Sequence, residues 1–237
     1  MSIHLVGGGR SDDYDGEVYV GFIEEAAARA SGAGRTVPVI GVLLVGSDAE
    51  TADSYRSQLV RTAECEPKVT QISEGELYTS AVLDGIDGLV VGGGLTPAYF
   101  DAVTPIMEEL RLLVGDGLPY LGFSAGAAIA ADTAIIGGWK IDGIPICDED
   151  FGEDLDDVTV VEGLGLVDLA VDVHAAQWGT LTRLIAATEA GLVEGGIAVD
   201  EFTVLIVGDD EFRVVGRGSV WQVMPHDDGV VVSSLGA

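Results

Sequence analysis

Short apolar runs that end in glycine and alternate with helical stretches constrain this chain most. Ile-His-Leu-Val at 3–6 runs into Gly7-Gly8-Gly9, Gly-Leu-Val-Val at 88–91 into Gly92-Gly93-Gly94, and 118–123 into the glycine-bracketed turn 122–126. Between and around them, helices are predicted over 17–31, 49–64, 75–84, 97–114 and 124–132, and strands over 37–45 and 69–72. In 97–114 the residues Phe100, Val103, Ile106, Met107, Leu110 and Val114 recur at helical spacing. Apolar strands alternating with helices predict a doubly wound, mostly parallel sheet in a three-layer α/β/α arrangement. Such a sheet gathers its functional turns beyond the carboxyl ends of its strands, so the three glycine-rich turns are expected on one edge. Farther along, 166–173 reads as a strand and 176–190 as a helix, and 196–234 gives several short strands, a C-terminal β extension. With 237 residues and no linker or repeat, one domain over 1–237 is expected.

Charge excludes some partners. Forty acidic residues face eleven basic ones, a net of −29. No basic stripe exists to neutralise phosphates, so nucleic acid is not an expected partner. Self-repulsion of that size destabilises a compact state unless salt screens it, which points to a chain adapted to molar salt. Segment 148–157 alone carries seven acids in ten positions and is expected as a surface loop that could border a cleft and attract a cationic substrate. No apolar run is long enough for a membrane span, and the N-terminal residues read as a strand rather than a leader, so a cytoplasmic protein is expected. The two cysteines, Cys65 and Cys147, have neither metal nor disulfide spacing.

Gly122-Phe123-Ser124-Ala125-Gly126 is a G-x-S-x-G pattern. In a chain with 34 glycines that pattern arises cheaply, so its placement matters more than its letters. It lies between a predicted strand and a predicted helix, where a nucleophile elbow belongs. Ala125 would offer a backbone N–H at a helix N-terminus, where donors and dipole favour an oxyanion. Serine needs a base. His4 lies inside the first strand and His226 near an exposed end. His174 ends a predicted strand, on the edge expected for Ser124. The acid that would orient it stays open among Asp142, Asp132, Asp172 and Glu201.

Gly-Gly-Gly-Leu-Thr at 92–96, "GFSAGAAIA" at 122–130, "GLGLVDLAVDVHAAQWGTLTRLIAA" at 163–187 and "GGIAVDEFTVLIV" at 195–207 together resemble the dipeptidase E and cyanophycinase family of serine peptidases. The resemblance implies a fold like that of class I glutamine amidotransferases, with Ser124 as nucleophile and His174 as base. It favours Asp142 as the acid over Asp172 and Glu201, because the family's acid follows the nucleophile helix. It places the oxyanion hole at Ala125 with Gly93 or Gly94, and requires no metal or cofactor. Substrate contacts would come from Thr96, Asp172, Gln177 and Arg183, the partner would be a small peptide, and a homodimer is left open. Cyanophycinases cleave β-linked Asp-Arg units and carry a glutamine before the histidine; Val173 stands here, and Leu95 replaces the usual polar residue after the glycine loop. These departures leave a non-catalytic binding or regulatory module as the second reading. An amidotransferase-like subunit is disfavoured, since no cysteine occupies the elbow.

Overall fold

The computed structural model describes residues 2–9, 16–208 and 212–236; Met1, 10–15, 209–211 and Ala237 lie outside the described residues. The chain opens with β1 (Ile3–Val6), α1 (Glu17–Gly32), β2 (Val39–Val45), α2 (Ala49–Thr62) and β3 (Glu66–Ile72). Then come β4 (Gly88–Val91), α3 (Thr96–Val103), α4 (Met107–Gly115), β5 (Tyr120–Phe123) and α5 (Ala125–Ala128). The strands β1, β5, β4, β2 and β3 run parallel in that spatial order. Both faces of this sheet are covered, as the unbroken apolar runs demand. On β2, Val42 and Leu44 pack with Tyr19, Phe22 and Ile23 of α1, while Leu43 and Val45 pack with Tyr99 and Leu110 on the opposite face. Asp48 caps α2 by accepting a hydrogen bond from the Thr51 N–H at 2.8 Å.

Local chemistry shortens several predicted elements. The helix expected over 97–114 is cut into α3 and α4 by a 3₁₀ turn at Thr104–Ile106, since Pro105 cannot donate an N–H. The helix expected over 75–84 shrinks to a 3₁₀ turn at Ser80–Leu83, beside a buried Tyr78 whose hydroxyl donates to the Leu44 carbonyl. The nucleophile helix is a single α turn, after which the backbone returns toward extended pairing at β6 (Thr133–Gly137).

Beyond β6 come the small hairpin β7 (Lys140–Ile141) and β8 (Ile144–Pro145), then β9 (Thr159–Glu162), β10 (Ala170–Val173), α6 (Ala175–Trp178) and α7 (Leu181–Glu189). The helix expected over 176–190 is thus two helices, parted at Gly179 with φ 72°. The extension holds β11 (Gly196–Val199), β12 (Thr203–Val207), β13 (Phe212–Gly216), β14 (Ser219–His226) and β15 (Gly229–Gly236). It divides between two sheets. Strands β12 and β13 extend the main sheet antiparallel beside β1, completing seven strands. Strands β14 and β15 join β10 and β11 in a separate four-stranded sheet. The strand before His174 therefore does not belong to the main sheet. Its end still reaches the expected edge, because the His174 N–H donates to the Gly7 carbonyl at 2.8 Å.

Candidate active site

Ser124 follows β5, the central strand of the seven, with φ 52° and ψ −110°. A non-glycine residue holds such backbone only under constraint, at a cost of order 1–3 kcal/mol. The constraint is visible. Its N–H donates to the Val6 carbonyl at 2.9 Å, and its carbonyl accepts from Ala127 and Ala128. Both glycines of the pattern are required by packing. A Cβ on Gly122 would sit 2.3 Å from the Gly126 carbonyl oxygen, and one on Gly126 only 2.2 Å from that of Val91. The strand-to-helix turn is therefore tight enough to lift the serine hydroxyl to the sheet edge.

Ser124 Oγ lies 2.8 Å from His174 Nε2, and His174 Nδ1 lies 2.7 Å from Glu201 Oε1. A carboxylate only accepts, so Nδ1 carries the proton and Nε2 is left to accept from the serine hydroxyl. His174 has φ 55° and is 5% exposed. Burial pushes its pKa below the usual 6.5, while the hydrogen bond and charge of Glu201 push it back up. Gly8 makes room for the ring: a Cβ there would lie 2.1 Å from His174 Cε1, and Gly8 has φ 100°. Glu201 stands in the crossing from β11 to β12, its N–H donating to Gln177 Oε1 at 2.9 Å. The next residue, Phe202, donates its N–H to the Gly8 carbonyl.

The acid beside His174 is thus Glu201 and not Asp142. Asp142 and Gly143 are the two central residues of the β7–β8 hairpin, both with positive φ (51° and 76°), and the Asp142 side chain is exposed. Its role there is that of an Asp-Gly turn, which needs left-handed backbone at both positions. Asp172 is also elsewhere engaged. Its carboxylate takes two hydrogen bonds from the Arg183 guanidinium, at 2.7 and 2.8 Å, and both residues are buried. Arg183 and Asp172, expected at the substrate, therefore form an internal strut. The spare donors of Arg183 go to the carbonyls of Phe151 and Gly138. Asp132 donates its N–H to the Val167 carbonyl and accepts from Gly163. Asp200, next to Glu201, is a local brace that accepts from Ala176, Ser219 and Trp221. Thr96 is buried and acts through its backbone, donating to Glu153 Oε2 at 2.9 Å. Gln177 holds the Glu201 backbone.

Ala125 is the first residue of α5, so its N–H has no partner within the helix. Gly93 comes against the serine: a Cβ there would meet Ser124 Cβ at 2.9 Å, whereas Gly94 faces the Tyr99 ring. Ser124 and His174 open onto a cleft of about 450 Å³. One wall is formed by Thr51 and Tyr55 of α2 and another by Gly93, Gly94 and Leu95. The acidic segment supplies Asp150, Phe151, Glu153 and Asp154, so it borders the cleft as a strap. Burial pushes the Glu153 carboxyl above its ordinary pKa, against the hydrogen bond from Thr96. Trp178 completes the wall, its ring stacked on His174. The acidic segment was expected as a loop that could border a cleft, and it does so; Trp178 and Tyr55 were not foreseen as site residues, and the four-residue spacing from His174 to Trp178 on a helix was the available signal. Among the described residues no group of three or more His, Cys, Asp or Glu side chains is arranged to hold a metal. Nor is any helix there long and apolar enough to cross a membrane.

Fold and site together define an α/β protein with a strained elbow serine facing a histidine–glutamate pair. Residues 42–215 match the sequence profile of Peptidase family S51, and the chain belongs to that family. A cyanophycinase of Synechococcus elongatus is 31% identical over 191 residues, 79% of this chain and 50% of that protein. One of Geminocystis herdmanii is 34% identical over 148 residues, 61% of this chain and 49% of that protein. The chain spans about half the length of the curated relatives it matches. The crystal structure of a peptidase from an acI-B1 Actinobacterium superposes with a TM-score of 0.63 at 17% identity, covering 100% of this chain and 94% of that one. At that identity the likeness concerns the fold.

Proposed function

We propose that the chain is a serine peptidase that hydrolyses a small peptide or isopeptide bond with Ser124, His174 and Glu201. The observation that carries this reading is the continuous hydrogen-bonded line from Ser124 Oγ through the His174 ring to Glu201. His174 Nε2 takes the serine proton as Oγ attacks the carbonyl carbon, and Glu201 stabilises the imidazolium that forms. The N–H groups of Ala125 and Gly93 receive the oxyanion. The imidazolium then protonates the leaving amine, and a water repeats the sequence to free the acyl group. The strap places Asp150, Glu153 and Asp154 around the cleft, which favours substrates with a cationic group beside the scissile bond. The charge of −29 supports a working environment of molar salt.

A fluorophosphonate probe in molar salt tests the nucleophile. Labelling is expected on Ser124, absent in Ser124→Ala and strongly reduced in His174→Ala. With arginine-bearing dipeptides as substrate, Glu201→Gln is expected to cut kcat by roughly 10²–10⁴-fold, while Asp142→Asn leaves it within about twofold. An unlabelled serine, or equal losses in the Glu201 and Asp142 variants, overturns the proposal.

A further inference from the structure

The His174 ring has a third partner besides Ser124 and Glu201. The indole of Trp178 lies flat on it, with centroids 3.6 Å apart and planes 6° from parallel. Phe151 of the strap stacks on Trp178 in turn, at 4.9 Å and 11°. The stack is built into the backbone. The Trp178 N–H donates to the His174 carbonyl at 2.8 Å, closing one helical turn that brings the two side chains into register. Gly179, with φ 72°, ends that turn directly afterwards. Trp178 itself is half-buried.

We propose that Trp178 is a positioning residue that fixes the plane of the His174 ring and stabilises its protonated form, with Phe151 clamping the indole from the strap. This rests on the peptidase reading for its kinetic consequence, though not for its electrostatic one. An indole face is negative and attracts a cation laid on it. The His174 ring is neutral in the resting site and becomes a cation only as the serine proton moves. The attraction therefore strengthens on the way to the transition state and acts on kcat more than on substrate binding. Other charges around the ring are fixed by their own partners or stand farther off. Glu201 holds Nδ1, the Asp172–Arg183 pair is internally matched, and Asp150, Glu153 and Asp154 face the cleft from the strap. From α2 only the Tyr55 phenol joins the titratable groups of the cleft wall. None of these is altered by changing Trp178.

The test uses Trp178→Phe and Trp178→Leu in molar salt, with two readouts. NMR titration of the ring, assigned by its loss in His174→Gln, is expected to place the Trp178→Leu midpoint about half to one pH unit below wild type. With a peptide substrate, kcat is expected to fall roughly 5- to 30-fold in Trp178→Leu with KM within about twofold, and Trp178→Phe to recover most of the loss. Wild-type tryptophan emission should also drop as His174 protonates, and this drop should vanish in His174→Gln, a readout that survives even if Trp178→Leu does not fold. An unmoved midpoint, a loss confined to KM, or emission indifferent to His174 overturns the proposal. If wild type neither labels with fluorophosphonate nor hydrolyses peptide, the peptidase reading fails alone, and the NMR midpoint still decides the role of Trp178.

Discussion

At the scale of single residues, Ser124, His174 and Glu201 meet where backbones are held in unfavourable shapes: Ser124, His174 and Phe202, the residue after Glu201, all have positive φ. Each is pinned by an N–H bond to the β1 end, to Val6, Gly7 and Gly8 respectively. The histidine then sets the pH response. Burial depresses its pKa and Glu201 raises it, with burial prevailing. The base form therefore persists below the ordinary 6.5, and kcat/KM is expected to fall on the acid side only below that pH. Glu201→Gln removes the raising influence, so its residual activity should persist to lower pH still. A pH–rate profile whose acid limb lies above 6.5 would contradict both. Ser124 and His174 were legible in the sequence, because each follows an apolar run at a predictable edge. Glu201 follows the apolar run Gly196–Val199 by the same rule, but forty acids in the chain and the order of elements in the resembled family drew the choice to Asp142. What decides against Asp142 is a two-residue hairpin turn, too short a feature to read from hydrophobic periodicity.

Among elements, the Asp172–Arg183 pair joins β10 to α7 and reaches from there to the strap through the carbonyl of Phe151 and to the end of β6 through that of Gly138. Both partners are buried, so removing one strands the other's charge. Arg183→Met is expected to lower unfolding stability by about 3–5 kcal/mol, while Asp172→Leu with Arg183→Met regains most of it. Denaturant melts in molar salt measure both, and additive losses in the double variant would refute the pairing argument. The family resemblance that suggested a substrate contact for Arg183 could not see this partner, although Asp172 lies only eleven positions away. Most strands of the main sheet were legible, since apolar β-branched runs buried on both faces have few alternatives. Helices fared less well where one residue broke them: Pro105 divides one and Gly179 another, and periodicity passes over both.

For the whole molecule, the charge of −29 is spread over a surface with few cations to match it. Repulsion among exposed carboxylates falls as the screening length shrinks, from about 10 Å at 0.1 M salt to about 3 Å at 1 M. The melting temperature is expected to rise steadily from 0.1 to 2 M KCl; equal melting temperatures at both ends would remove the case for salt adaptation. The division of the C-terminal strands between two sheets was not legible, because strand partners are chosen by tertiary fit and leave no trace in alternation. That division has a further meaning. The serine rides on one sheet, the histidine on the other, and the glutamate on the short crossing between β11 and β12. The constellation is consequently a gauge of alignment between two slabs. A chain in which either slab is loose carries all three residues yet has no relay among them, so hydrolytic competence would be withheld until the molecule is fully assembled.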